Sequence, residues 1–318
     1  MSSSVGLIVN PAAGRDIRRL VGLASVMPHH EKAAIVRRVL RGLEAAGVER
    51  ALYLRDGAGI MDAALDGSGA ALRVQPLSLR PEHEARDSTR AARELAEEGV
   101  GAIVTLGGDG TNRAVAGGCG EVPLVPVSTG TNNVFPGMVE GTIAGLAAGL
   151  VATGKVPAGA VSRRSKRVEV QAGEVRDFAL IDAAACRDAF RGAAAIWDPG
   201  RVTALVLSRA EPWAVGLSSI GGALDPVSAE DAAGLHVELG DGGCEVSAVL
   251  APGLPLRVGV RAWRRLELGE EVTLEVGAGI VALDGERELR TSGTAAARVT
   301  LGGPLVVDVR AALSKRRR

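Results

Sequence analysis

With 318 residues, 47% of them apolar and 23% charged, the chain can bury two sizeable cores, and disorder is excluded as its ground state. Lys plus Arg and Asp plus Glu both count 37, so no global field draws it to nucleic acid or to an anionic membrane surface. Cys119, Cys186 and Cys244 have no paired spacing, which argues against a disulfide scaffold or a zinc site and for a reducing compartment.

The segment MSSSVGLIVN lacks a basic, long apolar leader, and no stretch approaches about 18 uninterrupted apolar residues. A cytoplasmic protein without a membrane span is expected, and SKRRR at the end reads as a solvated basic tail. The Ala, Arg and Gly bias carries no functional reading.

In chain order, GLIVN at 6–10 predicts a first strand, followed directly by the loop Asn10-Pro11-Ala12-Ala13-Gly14, with Arg15, Arg18 and Arg19 beyond it. The loop reads either as a plain Asn-Pro turn or as a phosphate-facing turn whose backbone N–H groups and asparagine meet an anion. A helix from 30 to 46, strands at 51–54 and 72–77, and a helix from 85 to 98 follow. The branched, apolar run 100–106 then predicts a buried strand that ends at Gly107-Gly108-Asp109-Gly110-Thr111. Thr111 can cap the next helix, over 112–116, before Gly117 and Gly118 end it.

Glycines between a strand and a helix N-terminus leave no Cβ to keep a phosphate from the backbone. A second anion, Asp109, belongs there only if it works with a metal, a ligand hydroxyl or a proton. The alternative is a tight βα turn with a local cap. A strand at 123–127 leads into Ser128-Thr129-Gly130-Thr131-Asn132-Asn133, five hydrogen-bonding side chains around one glycine, and a helix from 139 to 152. Alternating strands and helices predict a parallel sheet with covering helices, whose ligands sit beyond the carboxyl ends of the strands.

Across TGKVPAGAV the pattern changes to short strands, among them RVEVQAG, TALVLS, LHVELG, CEVSAVLAP, PLRVGV, EVTLEV and ARVTLGG. The expected organisation is an α/β nucleotide-binding domain over 1–153, a β-rich substrate domain over 154–304, and a return to the first domain over 305–318. No GxxxxGK[ST] occurs, GxGxxG does not follow the first strand, and His29, His30, His83 and His236 have no metal-ligand spacing. The identity of any bound metal is open at this point.

NPAAG, GGDGT and STGTNN, in that order and spacing, resemble the superfamily of NAD kinases and diacylglycerol or sphingosine kinases, and within it the NAD kinase-like proteins of the AcoX type. The resemblance implies a parallel-sheet α/β domain followed by a β-sandwich-like second domain, with the site between them. It implies Asp109 as catalytic carboxylate, with Asn10, Gly14, Gly107, Gly108, Gly110, Thr111, Thr129, Gly130, Thr131, Asn132 and Asn133 toward nucleotide and phosphate. Asp182 of ALID stands for the acid of the NAD kinases' Asn-acid pair, with Ile181 in the asparagine's place. Ser218, Ser219, Gly221 and Gly222 resemble a dinucleotide-contacting loop. Asp284 and Glu286 of LDGE match the Asp-Gly-Glu of diacylglycerol kinases, Glu286 as a second candidate base, although DGE is also an ordinary hairpin turn.

The expected function is ATP-dependent phosphoryl transfer, with Mg²⁺, to a hydroxyl of a small molecule, NAD foremost, giving NADP. A lipid kinase of the diacylglycerol type and a non-catalytic nucleotide-binding regulator linked to acetoin catabolism stand beside it. No nucleic-acid partner is expected, and a homo-oligomer is compatible with the sequence.

Overall fold

The computed structural model describes residues 3–13, 23, 27–66, 69, 71–187, 199–285, 287–291 and 293–315. Its first layer system begins with β1 (Ser4–Val9), α1 (His29–Ala46), β2 (Arg50–Tyr53), α2 (Ile60–Leu65), β3 (Arg73–Pro76) and α3 (Ala85–Glu97). It continues with β4 (Ala102–Gly107), α4 (Asp109–Ala116), β5 (Leu124–Ser128), α5 (Gly141–Ala152), α6 (Ala158–Val161) and β6 (Ser162–Arg164). All residues of β1, β4 and β5 are buried, as expected of central parallel strands covered on both faces. The helices α1 and α5 share one core with these strands, whereas α3 and α4 pack on the other face through Ala91, Ala92, Leu95 and Val115.

Late in the chain, β17 (Leu305–Val307) pairs parallel to β5 and α8 (Val309–Ser314) follows it. The sheet order is β3-β2-β1-β4-β5-β17-β6, parallel except for the pairing of β17 with β6. Residues 158–164 thus pack with the first sheet, and the chain leaves it close to residue 165 rather than at 154, because the returning strand needs an edge partner. The strand order reverses between β1 and β4, which opens a crevice beyond their carboxyl ends. Asn10 follows β1 and Gly108 follows β4, so the two loops face each other there.

The second domain holds β7 (Arg167–Ala172), β8 (Val175–Ala179), β9 (Asp182–Cys186), β10 (Val202–Leu207) and α7 (Ser218–Leu224). The remaining strands are β11 (Ala233–Ala251), β12 (Leu254–Glu267), β13 (Glu271–Gly277), β14 (Ile280–Leu283), β15 (Arg287–Arg290) and β16 (Gly293–Thr300). A six-stranded sheet, β12-β11-β10-β9-β14-β15, and a four-stranded one, β13-β16-β7-β8, contribute to one shared core, a sandwich. The far face of the larger sheet is covered by α7. In β9, Ala183 and Ala185 enter the inter-sheet core while Ala184 and Cys186 enter the other.

Three local expectations are revised. LHVELG and CEVSAVLAP form one strand, β11, because bulges and the positive φ of Gly240 and Gly242 absorb the interruption between them. The GLSSIGG segment is helical rather than a loop. Finally, α4 starts at Asp109 behind Gly108, and Thr111 does not cap it: its hydroxyl accepts from Asn10 Nδ2 at 2.7 Å.

Helices α1 and α5 touch through glycine. A Cβ on Gly145 would lie 2.1 Å from the carbonyl oxygen of Val39, and one on Gly42 2.2 Å from that of Thr142. Gly145→Ala gains about 1 kcal/mol in helix propensity, but the obstructing atom is backbone and cannot swing away. Overpacking of this kind typically costs about 1–3 kcal/mol, so net destabilisation is expected as a lower urea midpoint. A variant more stable than the wild type would show that the helices can part freely.

Candidate functional site

The phosphate-loop side is built around two hydrogen-bonded turns. Asn10 donates from its backbone to Leu106 O at 3.0 Å and through its side chain to Thr111 Oγ1, which stitches the first loop to the GGDGT loop. The buried Lys32 donates to the carbonyls of Asn10, Pro11 and Ala13 at 3.2, 2.9 and 2.8 Å, holding the first loop from below. The glycines are required by space: a Cβ on Gly107 would meet the Thr111 side chain at 2.5 Å, and one on Gly108 would meet Asn133 Oδ1 at 2.7 Å. Buried Asn112 completes the turn, accepting from Thr105 Oγ1 at 2.6 Å and donating to Gly108 O at 2.9 Å.

Asp109 reaches across to the third loop. Its Oδ1 accepts from Phe135 N at 2.8 Å, and both carboxylate oxygens lie 3.1 Å from Val134 N. Within that loop Asn133 turns inward, donating to Ser128 Oγ at 2.8 Å, so it braces the turn instead of facing outward. Thr131 is exposed and donates to Asn132 Oδ1 at 3.1 Å, and the buried Thr129 hydroxyl has no hydrogen-bond partner among the described residues. Gly130 accepts from Ser128 Oγ at 2.8 Å, and Gly110 is buried in the first turn of α4.

From the second domain, Asp182 and Asp284 come to the same place. A cavity of about 20 Å³, room for roughly one water molecule, is lined by Asp109 and Asn132 on one side and by Asp182, Ser218, Asp284 and Gly285 on the other. The Asp284 side chain is fully shielded from solvent and accepts from the backbone N–H groups of Leu180 and Ile181 at 2.9 and 2.8 Å, with Asp182 N at 3.4 Å. Arg113, on α4, lies 3.6 Å from Asp284 and 3.7 Å from Asp177, so the helix of the GGDGT loop is tied to the second domain. Burial pushes the Asp284 carboxyl above its usual range, opposed by those N–H donors and the arginine charge. Asp284 thereby anchors the segment carrying Asp182 as well as lining the cavity.

The remaining expected residues divide. Ser218 lines the cavity, and its hydroxyl donates to Arg209 O at 2.8 Å. Ser219 donates to Gly216 O at 2.7 Å, and Gly221 and Gly222 press against Leu207 and the Glu211 backbone, so these three serve packing of α7 rather than the cavity. Gly14 and Glu286 lie outside the described residues, as do Arg15, Arg18 and Arg19. Ile181 sits in an apolar cluster with Phe135 and Leu180 that joins the two domains.

Residues that pattern reading passed over also shape the site. Lys32 and Arg113 lie in helices where a single cation carries no special signal. Arg209 follows β10, with its guanidinium 5.1 Å from the Phe135 ring centre. His29 and His83, which have no metal-ligand spacing in the sequence, line a second crevice of about 440 Å³ beside Asn10, together with Arg55, Asp56 and Ser88. The carboxylate of Asp56 there is turned to the backbone N–H groups of Ala58, Ile60 and Met61.

Comparison with known proteins agrees with this two-part build. Residues 5–156 match the ATP-NAD kinase N-terminal domain, and residues 166–303 match the acetoin catabolism protein X C-terminal domain. Acetoin catabolism protein X of Cupriavidus necator is 43% identical over 300 residues, covering 90% of this chain and 84% of that protein. An NAD kinase from Archaeoglobus fulgidus, solved in complex with ATP, overlaps 84% of this chain and 98% of its own at 16% identity, with a TM-score of 0.41. On its match along nearly the whole chain, the protein belongs to the acetoin catabolism protein X family.

Proposed function

We propose that the protein transfers a phosphoryl group from ATP to a hydroxyl of a small molecule held between the two domains, with an NAD-like dinucleotide as the foremost acceptor. The observation that carries this reading is the meeting of Asp109 with Asp182 and Asp284 at one interdomain cavity beside glycine-rich turns. Phosphoryl transfer asks a protein mainly for positioning and charge stabilisation, which such turns and carboxylates supply.

Asp109 is the proton acceptor in this scheme. Its carboxylate accepts from the N–H groups of Val134 and Phe135 and also lines the cavity, where a substrate hydroxyl would lie beside it. The attacking hydroxyl oxygen bonds to the γ-phosphorus, the bond to the bridging oxygen breaks, ADP leaves and the proton passes to Asp109. The crevice beside Asn10 suits the donor's nucleoside, because it opens beyond the carboxyl ends of β1 and β2 next to the Asn10 loop. Among the described residues no group of three or more His, Cys, Asp or Glu is placed to hold a metal ion. Mg²⁺, if bound, would be held by Asp182 or Asp109 at the cavity and would supply charge neutralisation to the phosphates.

The cavity of about 20 Å³ admits no dinucleotide, so the domain walls must part for an acceptor to enter. The same closure, with Ile181 in apolar packing where a polar side chain would face a ribose, favours a second reading: a nucleotide-binding protein without turnover. Labelled ATP offered with NAD, NADH and diacylglycerol separates the two, and also separates a dinucleotide from a lipid acceptor. Among the described residues no helix is long and apolar enough to cross a membrane.

Asp109→Asn preserves volume and is expected to fold while losing roughly 10²- to 10⁴-fold in turnover, read as ADP release. An undiminished rate would remove Asp109 from proton transfer. Asp182→Asn is expected to raise KM for NAD about tenfold, the effect of losing a hydrogen bond to a charged group, with little change toward diacylglycerol. An unchanged KM for NAD would separate Asp182 from the acceptor.

A further inference from the structure

Arg209 has no role in the scheme so far. It leaves β10 at the domain junction, with its carbonyl held by the cavity-lining Ser218 and its guanidinium stacked 5.1 Å above Phe135. Phe135 is the residue whose N–H donates to Asp109. The fork makes one hydrogen bond, a long one of 3.5 Å to Val134 O, and among the described residues no carboxylate lies within ion-pair distance of it.

Among the described residues, two other cations near the site are committed. Lys32 is enclosed by three carbonyls, and Arg113 lies between Asp177 and Asp284. A partly dehydrated guanidinium with unused donors is costly unless an anion completes it. Burial pulls the Arg209 pKa down, and the nearby Glu211 and Asp109 charges pull it up, yet guanidinium remains charged at any working pH. Three carboxylates line the adjoining cavity, so a phosphate arriving there meets repulsion that a cation must offset.

We propose that Arg209 is the phosphate-receiving residue of the interdomain site, its planar fork taking two oxygens of one phosphate while Phe135 holds the guanidinium plane. The assignment rests on the phosphoryl-transfer reading and adds a specific contact to it. Bidentate geometry matches guanidinium to a phosphate better than it matches an ammonium. The phosphate can come from ATP or from the pyrophosphate of a dinucleotide acceptor.

Calorimetric titration of the full-length protein and of Arg209→Gln and Arg209→Lys with tripolyphosphate, ATP and NAD tests this. R209Q is expected to weaken at least one of these ligands by roughly 10- to 100-fold, the usual value of hydrogen bonds to a charged group, and R209K by less. Loss confined to tripolyphosphate and ATP assigns the contact to the donor, and loss confined to NAD assigns it to the acceptor. Both outcomes support the proposal, provided the unliganded variants melt where the wild type does. Wild-type binding that R209Q leaves unchanged overturns it. So does equal loss in R209Q and R209K accompanied by early melting of both, which would mark Arg209 as structural. A wild-type protein that binds none of the three ligands would instead overturn the phosphoryl-transfer reading, and this assignment with it.

Discussion

A carboxylate shut away from water at position 284 is the constraint on which the interdomain site depends. Its charge is offset by consecutive backbone N–H groups at 180–182 and by Arg113 from the other domain. Removing one partner of such a buried pair typically costs about 3–5 kcal/mol, since the other is left uncompensated. The arrangement holds two things at once: the segment bearing Asp182 in the second domain, and the helix that begins with Asp109 in the first. Left-handed backbone at Asp284 itself, φ 51°, is tolerated because the surrounding bonds determine it.

Asp109 acts similarly within the first domain. By accepting from Val134 and Phe135 it draws the STGTNN loop against the GGDGT turn, and the absence of a Cβ at Gly108 lets Asn133 close the same gap. Phe135 then carries the contact onward into the apolar cluster with Leu180 and Ile181. Polar ties and apolar packing thus converge on one seam, which is why the cavity there is small.

The two halves of the chain differ in how they relate to other proteins. The first matches the ATP-NAD kinase N-terminal domain, and the second matches the acetoin catabolism protein X C-terminal domain. Two departures from the resemblance fall in the second half: isoleucine at 181, and a short helix at Ser218–Leu224 where a serine- and glycine-rich loop is expected.

The sequence alone determined the local half of this protein. Buried branched runs marked β1, β4 and β5, glycine spacing marked the turn before Asp109, and polar density marked 128–133, because each signal is written within a few neighbouring residues. The alanine-rich β9 escaped it, since DAAAC carries no branched or alternating pattern, and its burial on both faces arises only from the second sheet on one side and α7 on the other. The three-dimensional fold decided that Asp182 and Asp284 line one cavity with Asp109, that Asp284 is an anchor, that Ser219, Gly221 and Gly222 serve packing, and that Arg113 lies against Asp284 and Arg209 against Phe135. Those relations join residues far apart in the chain, as in Arg209 with Val134, 75 positions apart, and Leu180 with Asp284, 104 apart. Contacts at such separation follow from sheet order and domain docking, which no local propensity encodes.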